Sequence, residues 1–370
     1  MLHRSTLRQF SRPRGFKPDV FPATYREAIE SWQRAVDKLG GDLMTREFLH
    51  PLAAPDGAPL RCQSAWLGAA DASAVVVLIA GTHGIEGFAG SAVQTDFLGL
   101  LASGDCELPA DTALLCINAL NPWGYAHLRR CDHEGIDVNR NFIDFSCAPP
   151  ENPGYEGLRD LFRIADPQQR QRALDQQAEL LGQRAYEIAF SAGQYTDPHG
   201  PFYGGTAPSF SRGVIESLMA EHALARRRLA VIDVHTGLGP YGYGEIICDH
   251  APDSGGAATA LRWFGPSCAL PAEGTSSSVP KLGLLDYAWH AIMAEDSCFV
   301  TLEFGTLGTA SLFSVLLDEA ACWARADENG KARVATRMRE HFYPQDEIWR
   351  ESVVFRSRQV LWQAFSGVAS

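Results

Sequence analysis

The chain has 370 residues, 46% hydrophobic and 21% charged, a composition that excludes disorder as its main theme and allows a large core. Its 32 basic and 44 acidic residues leave a formal net charge of −12, which disfavours nucleic acid and anionic membrane as partners. Nine cysteines, odd in number and without a C-x-x-C pair, read as free thiols in a reducing compartment, so the expected location is the cytoplasm.

Residues 1–18 carry Arg4, Arg8, Arg12, Arg14 and Lys17 and no acid. They lack an apolar segment, so they read as a basic tail outside the core and not as a secretory signal. A domain is expected over 19–370. Residues 25–39 have the spacing of an amphipathic helix that stops at Gly40-Gly41. Four apolar runs then predict buried strands of a largely parallel sheet: Ala74–Ala80, 113–120, 229–234 and Cys298–Phe304. Between them, helices are predicted over 88–101, 168–192, 211–226 and 311–326. Strands alternating with helices predict a single α/β domain, its central sheet mixed, largely parallel and flanked by helices. A helical insertion is expected at about 155–195. No window approaches 18 apolar residues free of charge, so no membrane span is expected.

In open α/β sheets chemistry sits beyond the carboxyl ends of the strands. After Ala80 comes Gly81-Thr82-His83-Gly84-Ile85-Glu86-Gly87, with His83 and Glu86 spaced to grip one metal ion. Alone, H-x-x-E recurs by chance, and Glu86 also suits a helix start. His235 ends the third strand, two residues after Asp233, which could orient it as a ligand. Glu303 interrupts a run that should be buried, so it either has a partner or does chemistry. After 113–120 comes a polar excursion with Arg129, Arg130, Asn139 and Arg140, where arginine forks suit carboxylates and carbonyls. Two His and one Glu form the three-ligand set of an open zinc site, with a further Glu for the base. Other motifs carry less. Gly237-Leu238-Gly239-Pro240-Tyr241-Gly242 fits G-x-G-x-x-G, but Pro240 interrupts it and a strand-like GEIIC follows where a dinucleotide site needs a helix. Cys131, His133 and Glu134 read as surface residues.

The segments GTHGIEGFAGS, NPWGYAHLRRCDHEGIDVNRNF, VIDVHTGLG and VTLEFGT resemble the zinc carboxypeptidase superfamily. The resemblance is greatest to its DUF2817 branch, a bacterial group of inferred carboxypeptidases, of which the loop GQYTDPHGPFYGG is also typical. It covers roughly residues 20–370. It implies one Zn2+ ion on His83, Glu86 and His235. By the same resemblance Arg130 polarises the scissile carbonyl, with Arg129 its rival, while Asn139 and Arg140 clamp a substrate carboxylate. Glu303 matches the general base and acid. The best-known members also carry a mobile tyrosine ahead of that Glu, for which Tyr287 is the candidate here.

Three functions compete. The first is a metallocarboxypeptidase that hydrolyses a C-terminal amide bond. The second is an N-acyl amino acid amidohydrolase like aspartoacylase or succinylglutamate desuccinylase, with Arg140 holding a small anionic substrate. In both, the partner is a substrate with a free carboxylate. The third is a zinc-dependent binding protein without turnover, which the intact Glu303 argues against.

Overall fold

Eight strands form one sheet in this computed structural model, which describes residue 15, residues 18–41 and residues 43–370. The expected basic tail therefore lies outside the described residues, apart from residues 15 and 18. The strands are β1 (Met44–Ala53), β2 (Pro59–Leu67), β3 (Ala74–Ala80), β4 (Thr112–Asn118), β5 (Arg228–Thr236), β6 (Gly244–Ile247), β7 (Cys268–Ala269) and β8 (Cys298–Phe304). Their order is β1-β2-β4-β3-β5-β8-β6-β7. The centre, β4-β3-β5-β8, is parallel; β1, β2 and β6 pair antiparallel at its flanks, and β7 pairs parallel with β6. This is the mixed α/β architecture expected.

The alternation of side chains across β3 explains why it reads as one continuous apolar run. Val76 and Leu78 pack under helices Tyr25–Asp37, Gly87–Ala102 and Glu347–Val368. Val75, Val77 and Ile79 face the other way, toward helix Phe210–Glu221 and Trp289. With both faces covered, each such side chain contributes about 1.5–3 kcal/mol of burial. The same double covering marks β4, β5 and β8.

The flanks differ from expectation. Strand β1 was not anticipated because it is an exposed edge strand with Arg46 and Glu47 in its middle and no apolar run. The helix expected over 168–192 is two helices, Pro167–Leu181 and Gln183–Ser191, broken at Gly182, whose φ of +81° leaves the helical region. Together with helix Pro153–Phe162 they make most of residues 153–191 helical. Helices Glu328–Phe342 and Glu347–Val368 were also unforeseen, since charges spread around both obscure an apolar stripe. Among the described residues no helix is long and apolar enough to cross a membrane. All nine cysteines are free; Cys116, Cys248 and Cys298 are buried, as expected, and so is Cys131, which packs inside the arginine loop and not on the surface.

Candidate metal centre and cleft

The parallel strands β3, β5 and β8 deliver their carboxyl ends to one rim. Beyond β3 the chain makes a 3-10 turn, Gly84–Glu86, before helix Gly87–Ala102 begins. The turn lies against the segment Asn121-Pro122-Trp123-Gly124. A Cβ at Gly84 would stand 2.1 Å from the carbonyl carbon of Gly124, so only glycine allows this approach. The amides of Gly84 and Ile85 donate to the carbonyls of Arg130 and Arg129 at 3.2 and 2.8 Å, which ties the His83–Glu86 turn to the arginine loop. Asn121 caps its own short helix by accepting from Gly124 N at 2.9 Å. On the neighbouring strands, His235 and Glu303 are register partners.

Three donor groups converge at this rim. His83, Glu86 and His235 are buried, with donor atoms all within 4.8 Å of one another. His83 Nδ1 lies 2.9 Å from Glu86 Oε1, and His235 Nδ1 lies 3.2 Å from Glu86 Oε2. The two Nδ1 atoms are 3.2 Å apart. Each ring uses its other nitrogen on a carboxylate: His83 Nε2 meets Asp137 Oδ1 at 3.1 Å, and His235 Nε2 meets Asp233 Oδ2 at 2.7 Å. Asp233 and His235 are two residues apart on β5 and so share a face. Thr82 Oγ1 donates to Asp233 as well, at 2.8 and 2.9 Å.

This arrangement fits a divalent cation. With a proton on each Nε2, where the outer carboxylates would accept it, both Nδ1 atoms would present lone pairs toward each other and toward a carboxylate. Such facing acceptors repel unless a cation lies between them. Tetrahedral zinc at about 2.0–2.1 Å from each nitrogen sets neighbouring donors roughly 3.3 Å apart, close to the separations found. Burial alone would raise the Glu86 carboxyl, but His83 and His235 hold it well below the usual range. His235 is held well above its ordinary value by Asp233, against the effect of burial. Asp137 is likewise kept ionised, despite burial, by Arg130 and His83.

The cleft in front of these donors is lined by most of the residues singled out in the sequence. Glu303 is 7% exposed and accepts from Leu238 N at 2.9 Å. Burial and the Glu86 charge push its carboxyl up to about 7. Arg130 enters the cleft, with Nη1 on Glu86 at 3.0 Å and Nε on Asp137 at 2.9 Å. Arg129 turns away instead, paired with Glu319 and stacked 4.0 Å from the Trp323 ring. Arg140 is fully buried. It donates from Nη1 to Asn139 O at 2.6 Å and from Nη2 to Ser191 O at 2.8 Å, while its Nε has no partner among the described residues. Gly193, at φ +118°, opens the loop that covers this arginine: a Cβ there would stand 2.7 Å from Arg140 Cδ. Asn139 accepts from Leu285 N at 2.7 Å, and its NH2 has no partner among the described residues. Tyr287 is not brought into this set. It is 40% exposed, lies outside the cleft lining, and its hydroxyl donates to Lys281 O at 2.9 Å.

Sequence reasoning missed Asp137, although it stands two residues before Asn139 in a quoted motif and binds both His83 and Arg130. It also missed Asp249, Lys281 and Asp286, which line the same cleft from other loops.

Comparison with known proteins gives one family match: the family described as Protein of unknown function (DUF2817) covers residues 21–356. No curated protein matches the chain. Among solved structures, the succinylglutamate desuccinylase from Chromobacterium violaceum is 17% identical, with 85% of this chain and 74% of that chain covered and a TM-score of 0.38. Thrombin activatable fibrinolysis inhibitor is 13% identical over 90% of this chain and 80% of that chain, at a TM-score of 0.48. The murein-tripeptide amidase MpaA from Escherichia coli O157 is 16% identical over 84% and 97%, at 0.34.

Proposed function

The chain belongs to the DUF2817 family, and we propose that it is a zinc-dependent hydrolase that cleaves the amide bond beside a free carboxylate, removing a C-terminal residue in the manner of a metallocarboxypeptidase. One observation carries this reading: the Nδ1 atoms of His83 and His235 and the Glu86 carboxylate converge, with Glu303 beside His235 on the same rim. His83, Glu86 and His235 would hold the zinc, which supplies Lewis acidity.

The remaining chemistry belongs to the chain's own groups. The substrate carboxylate lies against Arg140 and the Asn139 NH2, which sets the scissile carbonyl near Arg130. Arg130 is fixed by Glu86 and Asp137, and its Nη2, without a partner among the described residues, is free for the carbonyl oxygen. Glu303 removes a proton from water, and the water oxygen attacks the carbonyl carbon. As the C–N bond breaks, Glu303 returns that proton to the leaving nitrogen. A carboxyl poised near neutrality by burial suits both roles.

The test is turnover of a panel of peptides and N-acyl amino acids by metal-stripped and zinc-restored protein. Zinc-dependent release of C-terminal residues supports the peptidase reading. Turnover of N-acyl amino acids alone moves the assignment to an amidohydrolase, and no turnover of either class refutes hydrolysis.

A further inference from the structure

Parallel strands bring their carboxyl ends to the rim, but an antiparallel neighbour brings its beginning there. Strand β6 runs antiparallel to β8, and its second residue, Glu245, is the register partner of Glu303. Partners in a ladder share a face, so His235, Glu303 and Glu245 form a row across three strands. Glu245 is 6% exposed and has no cation within 4.0 Å among the described residues. Two carboxylates opposite each other disfavour the ladder, and a neutral residue would fill this place at lower cost.

What Glu245 does hold is a segment without helix or strand, residues 275–284. Ser277 donates to its carboxylate from N at 3.0 Å and also from Oγ. The turn after β5 lies against this contact. A Cβ at Gly239 would stand 3.4 Å from Ser277 Oγ, and the preceding amide, Leu238 N, is the one that donates to Glu303. Farther along the segment, the Tyr287 hydroxyl donates to Lys281 O at 2.9 Å, and Leu282 N donates to Ala192 O at 2.8 Å. Between these ties Ser277, Ser278, Val279 and Lys281 line the cleft. An irregular stretch of chain thus serves as a wall of the cleft, held near one end by Glu245 and near the other by Tyr287 and Ala192.

We propose that Glu245 is a positioning residue: through Ser277 it clasps residues 276–281 to the sheet edge and so fixes the wall that the substrate meets. This rests on the proposed hydrolytic role of the same cleft. Glu303 and Glu245 then divide the work of one ladder position. Glu303 acts on water, while Glu245 spends its charge on a loop that has no regular hydrogen bonding of its own. A loop held in place before binding does not have to be ordered by the substrate, so the clasp acts on substrate affinity and leaves the chemical step alone. Tyr287 receives a role by the same account: it holds this wall from the other side and does not itself cover the substrate.

Hydrogen exchange and kinetics on the full-length protein test this together. In Glu245→Ala the amides of residues 275–281 should exchange about tenfold faster, the effect of one charge-assisted hydrogen bond, with the rest of the chain unchanged. Ser277→Ala, at an exposed position and with its amide donor intact, should show a smaller rise in the same amides. The double variant should exchange no faster than Glu245→Ala alone, because both substitutions break one clasp. On one active substrate KM should rise about tenfold in Glu245→Ala with kcat kept, and Glu245→Gln, which retains an acceptor oxygen, should restore much of the loss. If Glu245→Ala does not fold, Glu245→Gln and Ser277→Ala carry the same comparison. Unchanged exchange at 275–281, exchange raised throughout the chain with KM unaltered, or a fall in kcat at constant KM each overturns the proposal. Faster exchange confined to 275–281, with no turnover of any substrate by the wild type, instead refutes the hydrolase reading and leaves the clasp standing.

Discussion

The two halves of the cleft treat buried charge in opposite ways. Around His83, Glu86 and His235, each imidazole is held by an outer carboxylate, and Asp137 is shared between His83 and Arg130. Around Asp249, Lys281 and Asp286, charged groups face the same space and leave one another unbound. The first half is organised before anything arrives. The second holds opposite charges, Lys281 and Asp249, in one cavity without a hydrogen bond between them. Preorganisation of the first kind serves chemistry, because groups that need not move cost nothing to reorient during reaction.

The largest effect that distinguishes the halves is expected at Glu303. Glu303→Gln keeps an oxygen to accept from Leu238 N, so fold and metal content should persist. The amide cannot take a proton from water, and kcat should fall by at least about a hundredfold. If Glu303 only satisfies a buried partner, the variant melts earlier and turns over normally. Melting temperature, metal content and kcat on one active substrate decide between these outcomes.

Next in size is the outer support of the organised half. Asp137→Asn retains an oxygen for the Asn139 amide, which the wild-type carboxylate accepts at 3.0 Å, but removes the charge that orients His83 and Arg130. Loss of such a support weakens metal affinity by roughly 10–100-fold. Competition against a chelator measures it. Unchanged affinity would mean that this half is not built around a cation. Arg140→Met acts on the other half: KM should rise about tenfold with kcat nearly kept, and an amidated substrate should gain nothing from the wild-type arginine. A fall in kcat at constant KM would place Arg140 in the chemistry instead.

The same contrast governs what the sequence disclosed. Runs buried on both faces, such as Ala74–Ala80 and Cys298–Phe304, gave strand bounds that coincide with those observed. Their successors along the chain, His83, Glu86 and His235, follow at once from the rule that parallel strands end on one rim. The edge strand β1 shows no such run, because only one flank of it is paired and its side chains meet water. Asp249 and the pair Lys281 and Asp286 come from two separate segments, and no local spacing connects the two. Their meeting depends on tertiary approaches such as that of Gly283, at φ +66°, where a Cβ would stand 2.3 Å from Arg140 O. Arg129 and Arg130 are adjacent, and only the resemblance favours Arg130; Glu319, far along the chain, claims Arg129.

The last expected effect concerns stability beneath the second half. His250 and His290 stack there with ring centroids 3.7 Å apart, close to Asp286, whose Oδ2 is 3.7 Å from His290 Nε2. His250 Nε2 accepts from Phe299 N at 3.0 Å, so the ring must be neutral to keep that bond. Burial lowers His250 from 6.5 to about 4, and burial with His250 as neighbour lowers His290 to about 3. A histidine that takes its proton more readily when unfolded leaves stability intact above pH ~6.5 and erodes it as the pH falls toward ~4. For His250, at about 1.4 kcal/mol for each pH unit between the two values, the loss amounts to about 3 kcal/mol. Metal loss would also destabilise the protein in acid, so the melting curves belong on metal-stripped protein. Between pH ~6.5 and ~4 the wild type should lose melting temperature more steeply than His250→Asn, which has no proton to gain in that range. Equal slopes would show that the histidine stack does not govern acid stability.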